Sequence, residues 1–182
     1  MSGYRLRPLT TNEKSSRGFN IIKKMKLLLL FASTTLASGL LFANIYTSLI
    51  DAKSWGANIP QSIEAAREYF KVVNPGKNFF RMISLPNQAA ALLVLILFWK
   101  ISATIRIYLG MALALYVCVD MLTFTYFYPR NKIMFETTPL PGIDRLKKAS
   151  TGWRTMNWLR SFIIFAGLVF SFLALHEIYT AK

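Results

Sequence analysis

The sequence has one cysteine, Cys118, and one histidine, His176. A single thiol excludes a disulfide framework and any multi-cysteine metal site within the chain. A single imidazole excludes bis-histidine haem ligation. Acids are scarce as well, with eight Asp and Glu against 22 Lys and Arg. Charged residues total 16%, well under the about 25% of an ordinary soluble domain. Hydrophobic residues make up 54% of the chain and the mean hydropathy is +0.37. Such hydrophobicity excludes disorder, which needs its opposite. At 182 residues the chain fits a single domain of roughly 100–200 residues.

A net charge of +14 raises the question of nucleic acid, and the placement of the charge answers it. Leu27–Ile50 and Met82–Phe98 hold no charged residue. Ile107–Tyr128 holds a single one, Asp120, and Ser161–His176 ends just before Glu177. Each stretch is near the roughly 17–25 residues that a helix needs to cross a bilayer. They predict transmembrane helices at about 25–50, 82–101, 104–128 and 158–179, after a basic arm over 1–24. The expected fold is all-α, an integral membrane four-helix bundle over 25–182. The basic stretch Ile21–Met25 resembles the start of a signal peptide. The apolar run after it outlasts a signal-peptide core and has only a weak cleavage candidate at Ala37–Gly39, so it reads as a retained span. The excess Lys and Arg then lie beside the spans, where they attract anionic lipid headgroups, and no nucleic-acid partner is expected.

Lys and Arg in the loops bear on orientation. The N-terminal arm carries Arg5, Arg7, Lys14, Arg17, Lys23, Lys24 and Lys26, and the turn after the second span carries Lys100 and Arg106. The two longer connections hold twelve basic residues against ten on the side of the termini. The dense cluster beside the first span is expected to dominate. Both termini are therefore placed in the cytoplasm, with the chain multi-pass in an inner or plasma membrane.

The first long connection predicts a short amphipathic helix from Ile63 to about Val73. Ser62 is its expected cap and Glu64 stands in its first turn. Ile63, Ala66, Phe70 and Val73 recur at helical spacing, and Asn74-Pro75-Gly76 is the expected stop. Such a helix lies at the interface or lids the bundle. The second connection, Pro129–Gly152, is also long and expected to be structured, and its Pro139, Pro141 and Gly142 favour turns. Gly110, Ala112 and Ala114 offer small surfaces for close helix approach.

Polar residues inside the spans are costly in lipid and turn inward. Asn44, Thr47, Ser48 and Asp51 form one stripe at i, i+3, i+4 and i+7, with Tyr46 beside it. Asp120 and Thr123 share a face, and so do Trp153, Asn157 and Arg160. The alternating course of the helices brings Asp51, Asn87, Asn131, Asn157 and Arg160 toward one surface, with Asn44 and Asp120 deeper. Arg160 near hydrocarbon calls for an anionic partner, Asp51 or Asp120. One reading is structural, an ion pair and amide bonds that lock the bundle. The other is a pocket for a hydrophobic phenol or quinone. In it Asp51 or Asp120 is the base, Arg160 with Asn157 and Asn131 holds the anion, and Asn44, Tyr46 and Asn87 complete the wall. A proton path through Asp120 is a third reading, weakened by the lack of a second buried acid.

Several of these residues fall in an order that carries a resemblance. Gly39–Asp51 (GLLFANIYTSLID) is followed by Trp55, Tyr69-Phe70, Asn74-Pro75, Pro86-Asn87, Pro129-Arg130-Asn131, Trp153 and Asn157-Trp158-Leu159-Arg160. Over about residues 26–180 this resembles the four-helix membrane family that includes the anthrone oxygenases. The resemblance implies four transmembrane helices and cofactor-free oxygenation of an anthrone to an anthraquinone. A histidine arrangement frequent in anthrone oxygenases has no counterpart, since His176 is the only histidine. Family membership alone does not fix function. A non-catalytic subunit packed among membrane-protein partners is the alternative.

Overall fold

The computed structural model describes residues 11–73 and 79–180, with side chains from Lys24 onward. Arg5, Arg7 and the Asn74-Pro75-Gly76 stop lie outside the described residues. Five helical segments run through the rest. Helix α1 spans Thr11–Tyr46 and continues through a widened π turn, Thr47–Asp51, into a last turn, Ala52–Trp55. Helix α2 is Gln61–Val72 and α3 is Arg81–Phe98. Helix α4, Ala103–Leu122, runs on through Thr123–Phe127, Tyr128–Asn131 and Lys132–Glu136. Helix α5 is Ile143–Thr180. Four helices are long and apolar enough to cross a membrane: Lys24–Trp55, Arg81–Phe98, Ala103–Glu136 and Ile143–Thr180. The all-α bundle expected from the four apolar runs is therefore present, with no strand among the described residues.

Two of the spans are longer than expected. Most of residues 129–152 are helical and belong to the spans on either side. Pro129 lacks an N–H and its ring would strike the carbonyl four residues back. The helix absorbs this by widening at Thr123–Phe127, where Tyr128 N–H reaches back to Thr123 O. The widened turn lets α4 continue to Glu136 instead of ending. Pro139, Pro141 and Gly142 then make a short connection, and α5 begins at once. The fifteen residues Ile143–Asn157 extend α5 beyond the expected start at 158.

The bundle interior is stacked in three apolar layers. Leu30, Val94, Phe98, Ile105, Leu109 and Ala174 fill the layer at the end of the termini. Ala37, Leu41, Ala91, Ala112, Tyr116 and Ile164 fill the middle. Ala52, Ile63, Phe127, Met134, Leu146 and Trp153 form the third. This third layer is built by the extensions of α4 and α5 together with α2, so α2 is a lid on the bundle. Pro60, not Ser62, stands at its cap position, with no side-chain cap. Ser62 Oγ donates instead to Trp55 O at 2.7 Å, fastening the lid to the end of α1. Arg67 fastens it on the other side, with Nε 2.7 Å from Met134 O and Nη2 2.9 Å from Thr137 O. These carbonyls belong to the end of α4, where a helix lacks N–H partners and a cation is favoured.

Close approach in the middle layer comes from Gly167, not Gly110. A Cβ on Gly167 would stand 2.7 Å from Tyr116 Cε1, whereas one on Gly110 would meet nothing within 4 Å. The Tyr116 hydroxyl bonds Ser171 Oγ at 3.1 Å across the same contact. Gly167→Ala is therefore expected to overpack the layer and cost about 1–3 kcal/mol. Gly110→Ala is expected to be neutral or mildly stabilising, since Ala is the better helix former. Thermal unfolding of the two variants in detergent checks this, and equal midpoints would contradict it.

Candidate functional site

The outer half of α1 carries the candidate residues, and the π turn decides where they point. A regular helix would place Asp51 on the inner face with Asn44, Thr47 and Ser48. The turn at Thr47–Asp51 adds a residue, with Ala52 N–H bonding Thr47 O. The inner face therefore passes from Thr47 and Ser48, both buried, to Ala52, only 1% exposed. Asp51 is rotated off that face and is half-buried. The expected stripe ends at Ser48.

Asp51 instead lines a groove of about 630 Å³ between the end of α1, α2 and the start of α3. The volume lies within the roughly 300–1,000 Å³ of small-molecule sites. Six aromatic residues wall it: Tyr46, Trp55, Tyr69, Phe70, Phe79 and Phe80. Asp51 is the charged group among the lining residues, and Thr47, Ser54 and Ser62 are the hydroxyls. Each of these hydroxyls spends its proton within the protein. Thr47 donates to Ala43 O at 2.8 Å, Ser54 to Asp51 O at 2.8 Å and Ser62 to Trp55 O. The carboxylate and these three oxygens are thus left as acceptors. The tyrosine hydroxyls and the Trp55 indole N–H are the remaining side-chain groups able to donate.

The other expected amide and acid residues lie elsewhere, in four separate places. Asn44 and Asn157 are sealed between α1 and α5, at 2% and 0% exposure. Asn157 Nδ2 donates to Asn44 O at 2.9 Å and to Ser48 Oγ at 2.7 Å. Asn44 Nδ2 donates to Leu40 O within its own helix. The Oδ1 atoms of Asn44 and Asn157 have no partner among the described residues. Asp120 faces α3, where Ser84 Oγ donates to it at 2.8 Å and Gln88 Nε2 donates to its other oxygen. Asn87 accepts from Ser33 Oγ at 3.4 Å, and Asn131 accepts from Trp153 Nε1 at 2.8 Å. The polar cluster expected at one surface is thus several separate helix-to-helix locks, and of the residues singled out only Tyr46 and Asp51 reach the groove.

Arg160 departs furthest from expectation. It is 7% exposed, and no carboxylate lies within ion-pair distance among the described residues. Its guanidinium sits 4.3 Å from the Phe127 ring centroid, 5.6 Å from Phe80 and 5.9 Å from Trp153. Weakly hydrated and planar, a guanidinium can be held by ring quadrupoles in place of a counter-ion. The rings continue outward as an edge-to-face chain, with Phe127 to Trp153 at 5.2 Å and Trp153 to Trp55 at 5.0 Å. Phe80 is at once a wall of the groove and part of this aromatic cage, and Trp55 joins the groove to the cage through Trp153. Sequence reading missed the cage because Phe80, Phe127 and Trp153 come from three different helices. The missed signal was the aromatic content flanking each span end. Trp158, next to Asn157 in the same motif, is 45% exposed on the outside.

Among the described residues no three His, Cys, Asp or Glu side chains cluster. The two buried amides differ in their expected effect on stability. Asn157→Leu removes both bonds to α1 and is expected to cost about 1–2 kcal/mol, the scale of interhelical bonds in membranes. Asn44→Leu gives up one bond inside its own helix and removes an unpartnered buried oxygen, so it is expected to lie within about 1 kcal/mol of the parent. Thermal unfolding in detergent separates them, and the reverse order would refute the assignment of the lock to Asn157.

Comparison with curated proteins and with solved structures gives no match. Residues 69–170, from the lid helix to the outer two thirds of α5, match the family described as anthrone oxygenase. That segment is more than half of the chain and contains Tyr69, Phe70, Phe79 and Phe80 of the groove, Phe127 and Trp153 of the cage, and Arg160 itself. The chain belongs to the anthrone oxygenase family.

Proposed function

We propose that this multi-pass membrane protein binds a hydrophobic polyphenol in the groove beside Asp51 and oxygenates it. The observation that carries this reading is the groove's chemistry, six aromatic walls with an edge made mainly of acceptors. Flat rings suit such walls, since aromatic pairs gain from offset and edge contacts. Hydroxyl groups on the ligand suit the acceptors. An anthrone with ring hydroxyls has both properties and partitions into the bilayer from which the groove is reached.

The reaction needs little from the protein. The Asp51 carboxylate takes a proton from the anthrone methylene or from the phenol tautomer. The resulting anthrolate is electron-rich and reduces dioxygen, forming a carbon–oxygen bond to a hydroperoxide. Loss of water from the hydroperoxide leaves the quinone carbonyl. One dioxygen is consumed and one water is released per anthrone. Arg160 lies behind Phe80 and Trp153, so its charge favours the anion at a distance rather than by contact. A purified sample in nanodiscs is expected to take up oxygen when given a hydroxylated anthrone. Asp51→Asn is expected to slow that uptake by about 10²–10⁴-fold, the range for loss of a general base. An oxygen electrode reads both. A parent rate no faster than protein-free nanodiscs would favour the non-catalytic subunit, and an unchanged rate in Asp51→Asn would remove Asp51 as the base.

The same reading places the groove on the far side of the membrane from both termini, with the termini in the cytoplasm. Single cysteines in a Cys118→Ser background, at Asn58 before the lid and at Thr180 at the end of α5, test this. In intact cells Asn58→Cys is expected to react with an impermeant maleimide and Thr180→Cys only after lysis. Labelling of Thr180→Cys alone in intact cells would invert the orientation.

A further inference from the structure

At the opposite end of the bundle from the groove, a second cavity of about 430 Å³ opens between α1 and the turn joining α3 to α4. It is lined by Lys26, Ile96, Leu97, Trp99, Lys100 and Ile101. Lys26 is half-buried and held in place from two sides. Its Nζ donates to Leu97 O at 2.9 Å and lies 5.9 Å from the Phe98 ring centroid. Leu97 O is among the last carbonyls of α3, where the regular ladder of N–H partners ends. One of the three ammonium donors is thereby used and two are left. Lys100 extends from the same turn and is exposed. Next to it, Arg106 caps Trp99 O at 3.3 Å and stacks on the Trp99 ring at 5.1 Å. From Lys24 onward this end carries Lys24, Lys26, Lys100 and Arg106, against one acid, Glu177 on α5.

We propose that this cavity is a binding site for the phosphate of an anionic phospholipid. Position, shape and charge point the same way. The cavity lies where the apolar parts of α1 and α3 end, at headgroup depth, with Trp99 half-exposed as an interfacial tryptophan would be. Its floor is Ile96, Leu97 and Ile101, which suit the first methylenes of an acyl chain. Its rim is two ammonium groups, which suit a phosphodiester carrying net negative charge. A free phosphate would leave the apolar floor in water, so the lipid is the better occupant. Basic pockets between membrane helices bind headgroups in this way.

Native mass spectrometry in detergent, with phosphatidylglycerol and phosphatidylcholine of the same chains as probes, tests the proposal. The parent is expected to retain phosphatidylglycerol at least ten-fold more tightly than phosphatidylcholine. Each lysine near a membrane surface contributes roughly a five-fold change in affinity, so Lys100→Gln is expected to lower phosphatidylglycerol binding about five-fold and Lys26→Gln/Lys100→Gln by more than ten-fold. Lys100 donates no hydrogen bond among the described residues, so Lys100→Gln reads binding even where loss of Lys26 loosens α3. Lys100→Arg is expected to bind as the parent does. Equal retention of the two lipids, or undiminished binding in both glutamine variants, would overturn the site. Protection by millimolar inorganic phosphate equal to that by phosphatidylglycerol would replace the lipid with a free anion.

Discussion

The amide of Asn157 ties the two longest helices together, and much of the outer half of the molecule depends on where it does so. In lipid, helices gain little from apolar contact with one another, so packing and interhelical hydrogen bonds hold the bundle. Asn157 Nδ2 bonds both the backbone oxygen of Asn44 and the hydroxyl of Ser48. A side chain inserted into the ladder of a helix is a recognised cause of local distortion. Here the π turn of α1 begins at Thr47, inside the segment that Asn157 grips. The turn moves Ala52 to the interior and Asp51 to the groove. One interhelical contact thus coincides with the change of register that exposes the one acid of the groove wall.

The second constraint is the arginine three residues further along the same helix. A cation this deep would normally call for a carboxylate, and the cost of leaving one unpaired makes such pairs predictable. The bundle meets the demand with rings instead. Phe127 is the nearest, and it is placed by the widened turn that precedes Pro129. These two π turns therefore serve the same region: one rotates Asp51 outward, and the other carries α4 past its proline while Phe127 turns in against Arg160. Asp120, beyond ion-pair distance of Arg160 but still the carboxylate whose charge acts on it, is held by Ser84 and Gln88 on α3.

The four spans were legible because their signal is a property of composition alone. Runs without charge must be helical in lipid, where each backbone group needs an internal partner. The lid helix was legible in its apolar face, since Ile63 and Ala66 are buried as the spacing implies. Its anchor was not, because Arg67 bonds carbonyls that arrive from a helix about seventy residues away. The stripe Asn44–Thr47–Ser48 was legible from a period of 3.6, and Asp51 fell outside it because a π turn breaks that period. Pro129 was read as the end of a helix, which is the usual outcome for proline. A π turn converts it into a position inside a longer one. At the groove, Tyr46 and Asp51 were named as candidates from the sequence, whereas Phe79 and Phe80 were not and Phe70 was read as part of the lid's apolar face.

The division of labour between the two ends of the bundle follows from where the chain puts its scarce acids. From Lys24 onward the descending ends carry Lys24, Lys26, Lys100 and Arg106, and there the cavity presents donors. At the lid end the groove's oxygens face inward with their protons already committed, and there the wall presents mainly acceptors. A cavity of donors over an apolar floor suits an anion with a tail, and a groove of acceptors between rings suits a flat molecule with hydroxyls. The two openings therefore differ in kind rather than in size. A phosphodiester, which only accepts, is mismatched to the groove, because its oxygens would meet groups of their own hydrogen-bonding sense, and unpaired polar contacts in a dry site cost more than apolar contact returns. That discrimination needs no moving part. It follows from which member of each hydrogen bond the protein has already used.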